Sequence, residues 1–344
     1  METRRLRAGS SFLNVSALGF GGAPLGNLYV AISDSAAAAT VATAWDAGIR
    51  MFDTAPFYGL GLSEERFSKS LPKYPRDAYV LCTKIGRLLH DSRPEEVPPT
   101  LFREIPSRTY VFDYSYDGVM RSHADSLKRL KQDRIDILLV HDLDTIIHGP
   151  GEPYEQRLRQ FFDEGGYRAM DELRNSGVVK AIGAGLNEWQ ACERMLAHAD
   201  FDCFLLASRY TLLEQGALES FLPICEKRDI GIILGGPFNS GILVTGAIEG
   251  ARYDYAPAPP EILDRVRRIE AVCRAHNVRL IEAALHFVLA HPAVKTVIPG
   301  ANSPEQVKAN LALLNARIPP GLWSDLKSAG LLHTDAPVPQ QNRH

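Results

Sequence analysis

Short apolar runs and longer amphipathic stretches alternate along most of the chain. The runs are ALGFGGA (17–23), MFDTA (51–55), YVLCTK (79–84), IDILLVHD (135–142), AIGAGL (181–186), CFLLAS (203–208), GIILGG (231–236) and TVIPG (296–300). Each is apolar at nearly every residue, the pattern of a strand buried on both faces of a parallel sheet. Between them, 34–47, 116–130, 166–176, 188–198 and 214–227 repeat apolar residues every three or four positions, which places one helical face on the sheet. Strand followed by helix, about eight times over, is the mark of right-handed βαβ units. It predicts an α/β fold, a (β/α)8 TIM barrel, as one domain over 1–334 with a C-terminal tail at 335–344. An open doubly wound sheet is the competing architecture. Its usual phosphate loop, G-x-G-x-x-G, is matched in spacing by neither GFGGAPLG (19–26) nor GAGLNE (183–188). Three segments exceed what a barrel needs: 87–113, 143–165 and 238–262. All three leave the C-terminal ends of strands, so they are expected to be long loops at the catalytic face.

Composition narrows the class. Of 344 residues, 45% are apolar and 23% charged, as in an ordinary globular protein. Lys and Arg number 38 against 41 Asp and Glu, a net charge of −3, so no basic field exists to hold nucleic acid. No run approaches the roughly 18 apolar residues of a membrane span, and no signal-peptide core is present. The five cysteines (Cys82, Cys192, Cys203, Cys225, Cys273) form no C-x-x-C pair and read as reduced thiols of a cytoplasmic protein. Nothing in the sequence specifies an oligomeric state.

Candidate chemistry lies where ionisable residues interrupt the strands. Asp53, Lys84 and His141 stand at three equivalent strand ends, which a barrel brings to one mouth. Tyr58 follows in the turn DTAPFYG, within reach of that mouth. A free phenol ionises at about pH 10, and the Lys84 ammonium is expected to lower that value by stabilising the phenolate. Asp53 would hold Lys84, and His141 would orient a substrate oxygen. The set is a proton-transfer device for a hydroxyl or carbonyl, and no activated nucleophile accompanies it. Metal hydrolysis through Asp53, His141, Asp142 and Asp144 is the chemical rival, but neither H-x-H at a strand end nor H-E-x-x-H is present, so no metal is expected. Proton transfer at a carbonyl calls for a hydride partner. In ANSPEQVKAN (301–310), Ser303, Pro304 and Gln306 read as an N-cap, first helical residue and capping box, whose free amides suit a phosphate. GGPFNSG (235–241) adds small residues that let backbone approach a pyrophosphate.

On these residues the chain resembles the aldo-keto reductase family, from LGFGGAPLG through VIPGANSPEQVKANL and most specifically in AGIRMFDTAPFYGLGLSE (47–64). The resemblance implies the barrel, a nicotinamide dinucleotide across its C-terminal face, and a catalytic set of Tyr58 as general acid/base, Lys84, Asp53 and His141. Many members clamp the 2′-phosphate of NADP with a lysine and a serine after the eighth strand and an arginine beyond. Here those positions are Gly300, Ala301 and Gln306, which predicts NAD over NADP. Further cofactor contacts implied are Asp53, Asn187, Gly236, Phe238, Ser240, Asn302 and Asn310, the last against adenine. A serine–asparagine pair after strand five is replaced by Gly185 and Leu186, and the aromatic after strand seven by Gly235.

Within the family, GGAPLGNLY, DTAPFYGLGLSE and LLVHDLD resemble the sugar dehydrogenase branch. That branch oxidises aldoses such as L-fucose or L-galactose at C1 to the lactone, and a relative acts on pyridoxal. The small-molecule substrate is therefore expected to meet Phe57, Tyr58 and His141, with selection in the long segments and at Phe238. A broad NADPH-dependent aldehyde reductase and a cofactor-binding regulatory subunit are the alternatives.

Overall fold

The computed structural model describes residues 1–339. Eight parallel strands form the barrel: Phe20–Gly21, Met51–Asp53, Val80–Ile85, Ile137–His141, Ala181–Leu186, Cys203–Ala207, Gly231–Gly235 and Val294–Ile298. They pair in that order, and the bridges Leu18–Val297 and Gly21–Gly300 bring the first strand against the eighth. At this seam a Cβ on Gly21 would stand 2.7 Å from the Ile298 carbonyl oxygen, so the closure needs a glycine. Each of the eight predicted runs overlaps one of these strands; the third strand extends one residue beyond its run, to Ile85, and the eighth begins two residues before its run, at Val294.

An N-terminal hairpin that the apolar pattern did not reveal, Thr3–Ala8 against Ser11–Ser16, plugs one end of the barrel. Its Leu6 and Val15 are wholly buried among Met51, Cys82, Leu139, Leu205, Ile233 and Ile298 of the interior. Burying such side chains is worth about 1.5–3 kcal/mol each. The opposite end is left for the site.

Helices Asp34–Asp46, Tyr116–Leu130, Gly166–Asn175 and Trp189–His198 fall where predicted. The stretch 214–227 does not make one helix. It divides into a single turn at Gly216–Leu218 and the helix Phe221–Lys227, because the Pro223 ring would strike the carbonyl of residue 219 in a continuous helix. Helices Leu62–Ser70, Pro260–Ala275, Leu280–Leu289 and Pro320–Ser328 complete the outer layer with Pro304–Leu313.

The three long segments are more ordered than loops. Segment 87–113 is an antiparallel arm, Arg87–Asp91 on Arg108–Phe112, whose tip returns over the mouth. There Leu28 pairs with Phe102, and Tyr29 N donates to Leu101 O at 2.9 Å. Segment 143–165 forms helices Thr145–His148 and Glu152–Phe162. Segment 238–262 carries the short hairpin Arg252–Tyr253 with Ala256–Pro257, held by a bidentate Arg209–Asp254 pair at 2.8 and 2.9 Å. Beyond the last helix, Lys327 Nζ donates to Thr334 O (2.6 Å) and Ala336 O (2.9 Å), and Ala336 is buried. Residues 335–339 thus lie on the barrel rather than trailing from it. The rest of the predicted tail, 340–344, lies outside the described residues. No described helix is long and apolar enough to cross a membrane, and all five cysteines are free and buried.

Candidate active site

The turn after the second strand is fixed before any side chain reaches the mouth. Gly22 N donates to Asp53 O (2.8 Å), Ser63 Oγ to Gly22 O (2.8 Å), and Thr54 Oγ1 to Ser63 Oγ (2.8 Å). Tyr58 N closes on Ala55 O at 3.1 Å. Behind Tyr58 the backbone of Gly26 lies so close that a Cβ there would stand 2.5 Å from the Tyr58 carbonyl carbon. The phenol is therefore aimed by packed backbone.

Lys84 Nζ donates to Asp53 Oδ1 (2.7 Å), Asp53 Oδ2 (2.9 Å) and Thr54 O (2.8 Å), and lies 4.9 Å from the Tyr58 ring centroid. Burial works against the charged Lys84, but the Asp53 carboxylate outweighs it and holds the ammonium above the usual lysine range. Burial also pushes the Tyr58 phenol above its ordinary value, with Lys84 acting in the opposite direction. The expected influence of Lys84 is present, yet desolvation is larger, and the net shift is upward, not downward.

His141 faces Tyr58 edge-on, ring centroids 5.8 Å apart. Its neighbour Asp142, in left-handed backbone (φ +54°), pairs through Oδ2 with Arg87 Nη1 at 2.8 Å. Arg87 Nη1 also stands 3.3 Å from His141 Nδ1. Burial pushes the His141 imidazole down to about 3, the cations of Arg87 and Lys84 adding to it against Asp142. The Arg87 guanidinium is itself packed 4.3 Å from the Phe57 ring centroid and 4.7 Å from that of Phe112. It arrives there through Gly86 (φ +110°), where a Cβ would stand 2.2 Å from the Tyr114 ring.

Tyr58, Lys84, His141, Asp142 and Phe57 line one cavity of about 380 Å³, the size of a small-ligand pocket. Phe57, Phe102, Leu28, Leu101, Ile147 and Leu205 make most of its wall, with Thr100, Asn187 and Tyr255 as neutral polar groups. Thus Tyr58, Lys84, His141 and Phe57 come together as expected, with Asp53 directly behind Lys84. Phe102, Ile147 and Tyr255 come from the three long segments expected at this face though none was singled out, and Leu28 was not foreseen, because these loops become neighbours only in the closed barrel. Phe238 is absent from this wall and packs on the hydrophobic core. Of the residues weighed as metal ligands, Asp142 is committed to Arg87, and Asp144 accepts from Asn187 N (2.9 Å) and Ile147 N (3.1 Å). Among the described residues no group of three or more ligand-type side chains is placed to hold a metal.

The remaining candidates surround the ends of strands five, seven and eight. Asn187 gives its amide hydrogens to Asp142 Oδ1 and Asp144 Oδ2, both 3.1 Å, leaving its carbonyl to accept. Gly236 and Gly300 are exposed, while Ala301 is buried and offers backbone only. Ser240 Oγ accepts from Tyr255 N at 2.9 Å, which ties it to the short hairpin. Ser303 caps helix Pro304–Leu313, accepting from Gln306 N at 3.3 Å. Gln306 Oε1 reaches back to Asn302 N (2.9 Å), one residue beyond the expected capping-box partner. Asn310, half-buried, lies farther along the same helix. A dinucleotide fits this donor set: exposed glycine backbone at two strand ends, a capped ten-residue helix N-terminus, and neutral Asn302, Ser303 and Gln306 beside acidic Glu305 in its first turn, with Lys308 the helix's one cation. The Gly300 position is also closed to a side chain, since a Cβ there would stand 2.7 Å from Pro24 Cγ.

Residues 17–330 match the aldo/keto reductase family. The chain is 41% identical over 333 residues to a pyridoxal 4-dehydrogenase of Microbacterium luteolum, covering 94% of this chain and 96% of that one. It is 40% identical over 340 residues to a D-threo-aldose 1-dehydrogenase of Pseudomonas sp, covering 97% and 100%. A solved aldo-keto reductase from Bacillus halodurans, in its holo form, superposes with a TM-score of 0.72 at 25% identity over the whole of both chains. With its eight-stranded barrel and this coverage, the chain belongs to the aldo/keto reductase family and is an oxidoreductase.

Proposed function

We propose that the protein oxidises the hemiacetal carbon of a small uncharged lactol to a lactone, with NAD as hydride acceptor. The observation that carries this reading is the cavity in which Tyr58, Lys84 and His141 converge while every charged side chain on its wall is already paired. When bound, the oxidised nicotinamide supplies the hydride-accepting carbon and a positive charge; Gly236, Gly300, Asn302, Gln306 and Asn310 would hold the dinucleotide, with the Asn187 carbonyl toward its carboxamide. Tyr58, as phenolate, takes the hydroxyl proton as the C–H bond gives up its hydride and the C–O bond becomes a carbonyl. Lys84 stabilises the phenolate, Asp53 keeps Lys84 charged and in place, and His141 Nε2 donates to the substrate oxygen.

The wall chooses among lactols. Phe57, Phe102, Leu28, Leu101 and Ile147 suit one flat apolar face, which favours a pyridoxal-type aromatic lactol. An aldose would turn several hydroxyls toward carbon, each costly without a partner. A deoxy-aldose is the second reading, favoured by the comparable identity to the aldose dehydrogenase. NADH formation with pyridoxal, neutral aldoses and uronic acids tests both. Pyridoxal should turn over fastest and uronic acids not at all, since no unpaired cation lines the cavity. Silence with every lactol overturns the reading. Tyr58→Phe should keep NAD affinity while lowering kcat by about 10²- to 10⁴-fold; retained turnover would remove Tyr58 from its role.

A further inference from the structure

We propose that Arg87 is a positioning residue that fixes His141 in the tautomer carrying its proton on Nε2, the nitrogen that meets the substrate oxygen. This rests on the dehydrogenase reading above. A guanidinium has donors only. Arg87 Nη1, 3.3 Å from His141 Nδ1, can therefore satisfy that nitrogen only as an acceptor, and the neutral ring then holds its hydrogen on Nε2. Neutral histidine alone has no such preference strong enough to fix one form, so the neighbour decides.

The surroundings hold the Arg87 guanidinium between Asp142 and His141. It is 3% exposed, bound to Asp142 Oδ2 at 2.8 Å, and enclosed by the Phe57, Tyr110 and Phe112 rings at 4.3, 5.3 and 4.7 Å. Asp142 in turn is held by Asn187 Nδ2 (3.1 Å), and its Oδ1 is 3.6 Å from His141 Nε2. The other groups around the ring are the Lys84 ammonium, the Tyr58 phenol and the Tyr114 hydroxyl, which donates to the His141 carbonyl at 2.9 Å. None of these donates to Nδ1. The same guanidinium borders Phe57, so it also sets the cavity wall against which a flat substrate would lie.

The test combines kinetics with nitrogen NMR of histidine-labelled protein, the His141 signal being assigned by its loss in His141→Gln. The wild type should show Nδ1 unprotonated and Nε2 protonated through neutral pH. Arg87→Met should mix the tautomers and lower kcat, a few-fold where only the Nε2–H population falls and up to on the order of 10²-fold where the unsupported ring also shifts by about 1 Å, without changing the KM for NAD. Because that variant leaves Asp142 unpaired, the double variant Arg87→Met/Asp142→Asn is measured beside it. A positioning role predicts that the double variant folds but stays slow with mixed tautomers, and that Arg87→Lys recovers part of the rate. Wild-type kcat in the double variant, or an unchanged tautomer in either, overturns the proposal. The NMR readout needs no turnover, so a wild type that oxidises no lactol refutes the dehydrogenase reading and leaves the tautomer assignment separately decided.

Discussion

Replacing Lys84 by methionine deletes the ammonium and leaves the Asp53 carboxyl, 1% exposed, without a cation. At Nζ–Oδ separations of 2.7 and 2.9 Å the attraction lost is about 6 kcal/mol at an effective dielectric constant near 20. Desolvation of the two ions offsets part of that, and breaking such a pair from one side costs about 3–5 kcal/mol. A domain of ordinary stability, about 5–15 kcal/mol, remains folded after that loss. The defect must also depend on pH. Burial already holds the folded-state pKa of Asp53 above its unfolded value of about 3.9 against the pull of Lys84, and removing Lys84 takes away that pull and raises it further. The folded state then keeps a proton that the unfolded chain releases, so stability is greatest below the unfolded pKa and falls as pH rises toward the folded one, by up to about 1.4 kcal/mol per pH unit. Urea titrations at about pH 5 and about pH 8, with equal m-values, should show the gap to wild type widening at the higher pH. Asp53→Asn in the same background should recover most of the loss and remove the pH dependence. A loss under about 1 kcal/mol at pH 8, or a gap that does not change with pH, refutes the buried ion pair as the organising charge of the site.

Other measurements follow from the same geometry. Gln306→Arg places a cation where the chain has an exposed neutral residue, and a charge-assisted hydrogen bond of about 1.5–3 kcal/mol should raise kcat/KM with NADP about 10- to 100-fold relative to NAD; an unchanged ratio would move the adenosine end away from helix Pro304–Leu313. His141 is pushed down to about 3 and Tyr58 is held up, so both are neutral near pH 7 and only Tyr58 ionises toward alkaline pH. The oxidation rate should therefore rise from neutral into alkaline pH, and a limb near about pH 6.5 that disappears in His141→Gln would contradict it.

The barrel was legible because strands covered on both faces are apolar at every position, so they stand out without alternation. Asp53, Lys84 and His141 were legible for the complementary reason: a charge at the end of such a strand is conspicuous. The N-terminal hairpin gave no such signal. Only Leu6, Ala8, Leu13 and Val15 face the barrel among arginines and polar residues, and the period-two pattern is too short to separate from a charged leader. Helix 214–227 failed through a local rule, since Pro223 forbids the turn its apolar spacing implies. Arg87 was hidden by its setting, as the first residue of a segment rich in proline and charge. What turns it inward is the positive φ at Gly86, and its partner Asp142 lies one barrel strand away in space.

That hidden pair changes the electrostatics of the site. With Lys84 and His141 alone, the mouth reads as a cationic cavity that would welcome a carboxylate or phosphate. With Asp53 behind Lys84 and the Arg87–Asp142 pair behind His141, the charges cancel, and burial holds the two remaining titratable groups neutral. Desolvation therefore outweighs the influence of Lys84 on Tyr58 in the free protein, and forming the phenolate needs added positive charge or high pH. The oxidised nicotinamide carries such a charge and its reduced form does not. On the proposed reading, a site neutral by itself would favour loss of the substrate proton when the oxidised form is bound, which would tie the direction of the reaction to the same balance expected to turn away anionic substrates.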